Sequence, residues 1–138
     1  MKKSMAATLF IIAALYDGVL GLAFLVAPAA IFTAVAVTPP NHFGYVQFPA
    51  ALLLIFAIMF AVIAKDPVRN RCLIPYGMLL KVAYCGVAFG YWFTSGIPFM
   101  WKPFAVCDLV FLGLFAWTYQ TLGRTAERER HASEQERH

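Results

Sequence analysis

Residues 5–27 read MAATLFIIAALYDGVLGLAFLVA, an apolar run interrupted by one charge, Asp17. At about 1.5 Å per residue such a run makes a helix of about 35 Å, enough to cross a hydrocarbon core of about 30 Å. Three further blocks of the same kind follow at 47–64, 72–94 and 102–120. Of the 138 residues 62% are hydrophobic and 13% charged, against about 25% charged in an ordinary soluble domain. The pattern predicts an all-α fold: a polytopic membrane protein with a four-transmembrane-helix bundle over residues 1–122 and a charged tail at 123–138.

Lys2 and Lys3 resemble the basic start of a secretory signal, and Ala34-Val35-Ala36 resembles a cleavage site. The apolar run is too long for the core of a signal peptide, so the first span is read as uncleaved. If the spans alternate, nine Lys and Arg residues fall on one side (2, 3, 65, 69, 71, 124, 128, 130 and 137), and Lys102 stands alone on the other. The positive-inside rule then predicts that both termini are cytoplasmic. The sequence pI of 9.1 does not point to nucleic acid, because the basic residues flank membrane spans and the tail mixes signs. Anionic lipid head groups suit these charges better.

Pro28 should stop the first span near Ala27. Residues 28–44 are apolar but too few to span again, which predicts an outer interfacial or re-entrant segment ending in the aromatics Phe43 and Tyr45. The second helix is expected to start near Pro49, a residue suited to a first turn, and to leave at the tight turn KDPVRNR, 65–71. The third stops at TSGIP, 94–98, and the fourth carries Trp117 and Tyr119 at the inner interface. Tyr16-Asp17-Gly18-Val19 and Tyr84-Cys85-Gly86-Val87 echo one another. A real echo would make the bundle two hairpins in parallel repeat.

Three charges fall inside the spans: Asp17, Lys81 and Asp108. Each costs about 2.5–3.5 kcal/mol to insert, so each should face the bundle interior and find a partner. Counting the helical rise from the inner edge puts Asp17 and Asp108 about 20 Å up and Lys81 about 14 Å up, within reach of a lysine side chain. Side chains lean toward their helix N-terminus, which favours Asp17 over Asp108 as the direct partner. One lysine cannot neutralise two aspartates. The second carboxyl must be protonated, meet water or a ligand, or take a hydrogen bond from Tyr16, Tyr76 or Tyr84. These six residues are the candidate ligand- or proton-binding site; a structural clasp is the competing reading.

Gly18 and Gly21, and Gly86 and Gly90 at G-x-x-x-G spacing, predict close helix packing or a slot beside Tyr84, Phe89, Tyr91 and Trp92. Cys72, Cys85 and Cys107 form no C-x-x-C and read as small hydrophobes. His42 has no second metal ligand at useful spacing, and no histidine lies in a span to ligate haem. No phosphate loop, Ser-His-Asp set or H-E-x-x-H is present. The residues therefore specify no catalytic group and no metal.

The GVLGLAFLVAP ending of the first span, an irregular outer loop, the DPVRNR turn and two further spans together resemble the small four-helix DoxX-like bacterial membrane proteins. The resemblance covers most of residues 9–120 and implies the bacterial inner membrane, with an association with quinone-linked complexes in some members. It carries over no site residue. Three functional classes follow. The first is a non-catalytic accessory subunit, or a binder of a quinone-like or lipid-like molecule, held by the Asp/Lys centre and flanking aromatics. The second is an oligomeric proton-coupled transporter or channel for small solutes. A membrane enzyme using Asp17 and Lys81 as acid and base comes third. The expected partners are the bilayer, a hydrophobic small molecule, and further copies of the chain or a larger membrane complex. The first class is favoured because residues 50–64 of the second span carry no polar group to continue a pathway.

Overall fold

The protein is described by a computed structural model covering residues 2–137. Five helices follow in order: α1 (Lys3–Val26), α2 (Pro28–Ala34), α3 (Gly44–Lys65), α4 (Ile74–Phe93) and α5 (Lys102–Gln135). Short 3-10 turns, Arg71–Leu73 and Phe99–Trp101, lead into α4 and α5. The described residues contain no strand. Four helices, α1, α3, α4 and α5, are long and apolar enough to cross a membrane, and they mark the chain as an all-α membrane protein.

Local chemistry sets the helix ends. Pro28 opens α2 as its first residue, and Ala27 before it is pulled out of helical geometry, at φ −133° and ψ 48°. The break leaves the Leu25 carbonyl short of a helical partner, and the Gln47 side chain on α3 donates to it at 3.1 Å. Helix α2 closes with Ala36 in the left-handed region, φ 54°, while Val37 N–H returns to Phe32 O at 3.1 Å. His42 Nδ1 accepts from Gly44 N–H at 3.0 Å and satisfies one of the free donors at the start of α3. Helix α3 therefore begins earlier than expected, and Pro49 lies inside it rather than in its first turn. The 65–71 turn is tied by Asp66 Oδ1 accepting from Arg69 N–H at 3.1 Å and by Asn70 Nδ2 donating to Val62 O at 2.9 Å.

The helices pair as two hairpins, α1 against α3 and α4 against α5, with α3 and α4 touching little. Close approach occurs at Gly21, where a Cβ would lie 2.7 Å from the Ala50 carbonyl oxygen, and at Gly77, where it would lie 2.5 Å from the Phe60 ring. At Gly86 and Gly90, by contrast, a Cβ would meet nothing within 4 Å. Their spacing is that of a packing motif, yet both stand on the outward side of α4, because Lys81, Cys85 and Ala88 take the inward side. The two halves of the Tyr-x-Gly-Val echo also differ in setting, since a Cβ at Gly18 would lie 3.5 Å from Ala57 Cβ of α3.

Apolar packing forms two layers. One gathers Phe10, Phe60 and Phe115, with ring centroids 4.8–5.9 Å apart, near the end of the bundle that carries Lys3 and the 65–71 turn. The other gathers Phe24, Phe32, Ala50 and Met100 at the opposite end. Helix α5 runs unbroken past the expected boundary at residue 122, and from Glu127 onward its residues are exposed. At about 1.5 Å per residue its 34 residues make about 51 Å, far more than a bilayer core requires.

Candidate functional site

Asp17 lies between buried residues seven positions away on α1, Phe10 and Phe24; Lys81 likewise between Ile74 and Ala88 on α4; Asp108 lies seven before the buried Phe115 on α5 and seven after the partly buried Trp101 that ends the preceding 3-10 turn. Seven residues are close to two helical turns, so each charge shares its face with the two apolar layers and is carried inward by them. Asp17 and Lys81 are fully buried, and Asp108 is 6% exposed.

The three charges converge. Lys81 Nζ donates to Asp17 Oδ1 at 2.8 Å and Oδ2 at 3.0 Å. It also lies 3.0 Å from Asp108 Oδ1, but that oxygen is not aligned to accept a hydrogen bond. The lean of the side chains predicts the Asp17 contact and an Asp108 directed away. Asp108 is nonetheless in ion-pair range, because α4 and α5 pack as antiparallel neighbours and the long lysine arm spans the remaining gap. The ammonium is further enclosed by the rings of Tyr16, Phe111 and Phe60, at 5.3, 5.4 and 5.9 Å from their centroids. Aromatic faces carry negative potential, so this shell suits a cation held away from water.

None of the three candidate tyrosines donates to a carboxylate, so of the alternatives open to the second aspartate a tyrosine hydrogen bond is not the one taken. Tyr16 packs against Phe111 and Phe104, and its buried hydroxyl has no hydrogen-bond partner. The Tyr84 hydroxyl donates to the Trp101 carbonyl at 3.0 Å. Tyr76 is 59% exposed; five positions at 100° each turn it well away from the face of Lys81. Cys85 is buried with its Sγ 3.6 Å from Ala105 O, while Cys72 and Cys107 are exposed. Among the described residues no group of three or more His, Cys, Asp or Glu side chains is placed to hold a metal.

A groove of about 480 Å³ opens between the two hairpins, in the half of the bundle away from the Lys3 end. Its wall includes Leu20, Leu53, Tyr84, Ala88, Trp101 and Phe104. Leu20, Tyr84 and Phe104 stand about one turn from Asp17, Lys81 and Asp108 respectively, and none of the three charges lines the groove. The polar centre therefore does not reach directly into the groove, contrary to a site in which Asp and Lys hook the ligand themselves. A layer of Leu, Tyr and Phe separates them.

Two parts of this region escape a reading of the charges alone. Phe60 and Phe111 enclose the ammonium, and only the position of Phe111 three residues beyond Asp108 hints at it. Arg71 forms a second clasp at the other end of α4: its Nε donates to Tyr119 O at 2.8 Å, and its guanidinium lies 3.8 Å from the centroid of the Tyr119 ring. No family model, no curated protein and no solved structure matches this chain.

Proposed function

We propose that this protein is a small non-catalytic membrane module that binds a quinone-like or lipid-like molecule in the groove between its hairpins. It would sit in a bacterial inner membrane with both termini in the cytoplasm, as an accessory subunit or carrier of the DoxX-like kind. The observation that carries this reading is the groove itself: its volume of about 480 Å³ suits a small hydrophobic ligand, and its wall is almost wholly apolar and aromatic. Tyr84 and Trp101 give it flat surfaces for a ring, and the little-packed seam between α3 and α4 gives it a lateral mouth toward lipid. The ionic centre beneath stiffens the floor without touching the ligand. The orientation rests on the basic residues gathered at the Lys3 end.

Native mass spectrometry of protein released from bilayers doped with a long-tailed quinone tests the reading. Wild type should retain the quinone or a lipid; Ala88→Trp, which fills the groove, should lower the bound fraction at least tenfold. Val82→Trp, on the same helix outside the groove, should leave it unchanged. Equal retention by all three proteins would refute the groove as the binding site.

A second reading, an oligomeric proton-coupled transporter, is favoured by one observation: two carboxylates share one buried lysine. Proton flux into liposomes containing the protein, lost in Asp108→Asn, would favour it over the binding module.

A further inference from the structure

Counting charge at the Asp17, Lys81 and Asp108 centre leaves one negative charge if all three groups are ionised. Among the described residues no further cation approaches the centre to cancel it. Helix α1 supplies Tyr16 and Asp17, α4 supplies Lys81, Tyr84 and Cys85, and α5 supplies Cys107 and Asp108. Helix α3 presents Phe60 there and has no ionisable residue between Tyr45 and Lys65. A carboxylate without its own counter-charge in so dry a place is strongly disfavoured against the neutral acid.

The two aspartates are not equivalent. Both oxygens of Asp17 accept aligned hydrogen bonds from the ammonium, at 2.8 and 3.0 Å, which is the environment of an ionised carboxylate. Asp108 has one short approach to the same ammonium, and its Oδ1 is buried without a hydrogen-bond partner. Among the described residues the other buried side-chain oxygen without a hydrogen-bond partner is the Tyr16 hydroxyl, whose ring lies against Phe104 and Phe111, one turn either side of Asp108 on α5. Two buried oxygens without a hydrogen-bond partner thus belong to a centre that is one proton short of neutrality.

We propose that this centre is a proton-binding site: Asp17 and Lys81 form a standing ion pair, and Asp108 holds one exchangeable proton taken from water at neutral pH. The proton binds as the O–H of a carboxylic acid, and no other bond changes. This assignment does not depend on what occupies the groove.

The chain has three aspartates, and the third, Asp66, lies in the polar 65–71 turn, outside the centre. Carbon-13 NMR of aspartate-labelled protein in lipid nanodiscs at neutral pH should show one protonated carboxyl of three. The pairs Tyr16-Asp17, Lys65-Asp66 and Cys107-Asp108 are each unique in the sequence, so pairwise labelling assigns the signals in unmutated protein. The protonated signal should be Asp108. In Lys81→Met a second protonated carboxyl, Asp17, should appear; in Asp17→Asn the Asp108 signal should become that of an ionised group paired with Lys81. Three ionised carboxyls in the wild type, or a protonated Asp17 with an ionised Asp108, would overturn the proposal, and neither outcome requires a variant to fold.

Discussion

Lys81 on α4 reaches across to Asp17 on α1 and donates to both of its carboxylate oxygens, at 2.8 and 3.0 Å, tying together two helices that belong to different hairpins. The hairpins otherwise meet chiefly through apolar side chains. Without Asp17 the ammonium keeps only its unaligned approach to Asp108, and without Lys81 both buried carboxyls must take up protons. Asp17→Asn or Lys81→Met should each cost about 3–5 kcal/mol of stability, and the double variant should recover part of that loss. Unfolding of the detergent-solubilised proteins in a double-mutant cycle checks it. Strictly additive losses would mean that the pair does not hold the hairpins together.

Asp108 makes the weaker contact, so Asp108→Asn should be milder. Its expected loss is under half that of Asp17→Asn in the same unfolding assay, since asparagine keeps the shape and removes no aligned hydrogen bond. A loss equal to that of Asp17→Asn would show that Lys81 depends on both carboxyls alike.

Small residues on α4 divide sharply. At Gly77 a Cβ would press on the Phe60 ring at 2.5 Å, and Gly77→Ala should cost about 1–3 kcal/mol through overpacking. At Gly86 and Gly90 a Cβ meets nothing, so Gly86→Ala and Gly90→Ala should be neutral or stabilise by up to about 1 kcal/mol through helix propensity. Thermal unfolding of the three variants in nanodiscs separates these cases. A large loss at Gly86 or Gly90 would reveal a partner helix on that face.

Arg71 clasps the start of α4 to α5 by its hydrogen bond to Tyr119 O and its stacking on the Tyr119 ring. Its guanidinium passes so close to Gly123 that a Cβ there would lie 2.5 Å from Nη2. Arg71→Ala should lose about 1–3 kcal/mol, and Arg71→Lys should restore little, because an ammonium lacks the planar fork that stacks and donates together. Full rescue by lysine, measured by the same unfolding assay, would mean that charge alone matters.

Much of this arrangement was legible in the residues. Four apolar runs of the right length require spanning helices, and Pro28 requires the first to stop where it does. The level of Asp17, Lys81 and Asp108 follows from counting helical rise, and the cost of leaving a charge in lipid turns them to the buried face. What did not follow was lateral detail. The G-x-x-x-G of Gly86 and Gly90 reads like a packing face, yet a motif on one helix does not say which way the helix is turned. The groove arises where α3 and α4 diverge, a relation between helices that no single stretch encodes. The start of α3 at Gly44 rather than Pro49 depends on His42 satisfying a backbone donor, which only the folded turn displays.

The reading of this chain as a binder of a hydrophobic molecule is tested most directly by light-activated labelling. Protein in lipid bilayers would be irradiated with a diazirine probe bearing a quinone ring, and its adducts mapped by peptide sequencing. Adducts concentrated at residues 45–53, 80–91 and 101–104, and displaced by excess unlabelled quinone, are the expected result. Labelling spread evenly over outward-facing residues such as Leu15, Val62 and Val110, and indifferent to competitor, would contradict it.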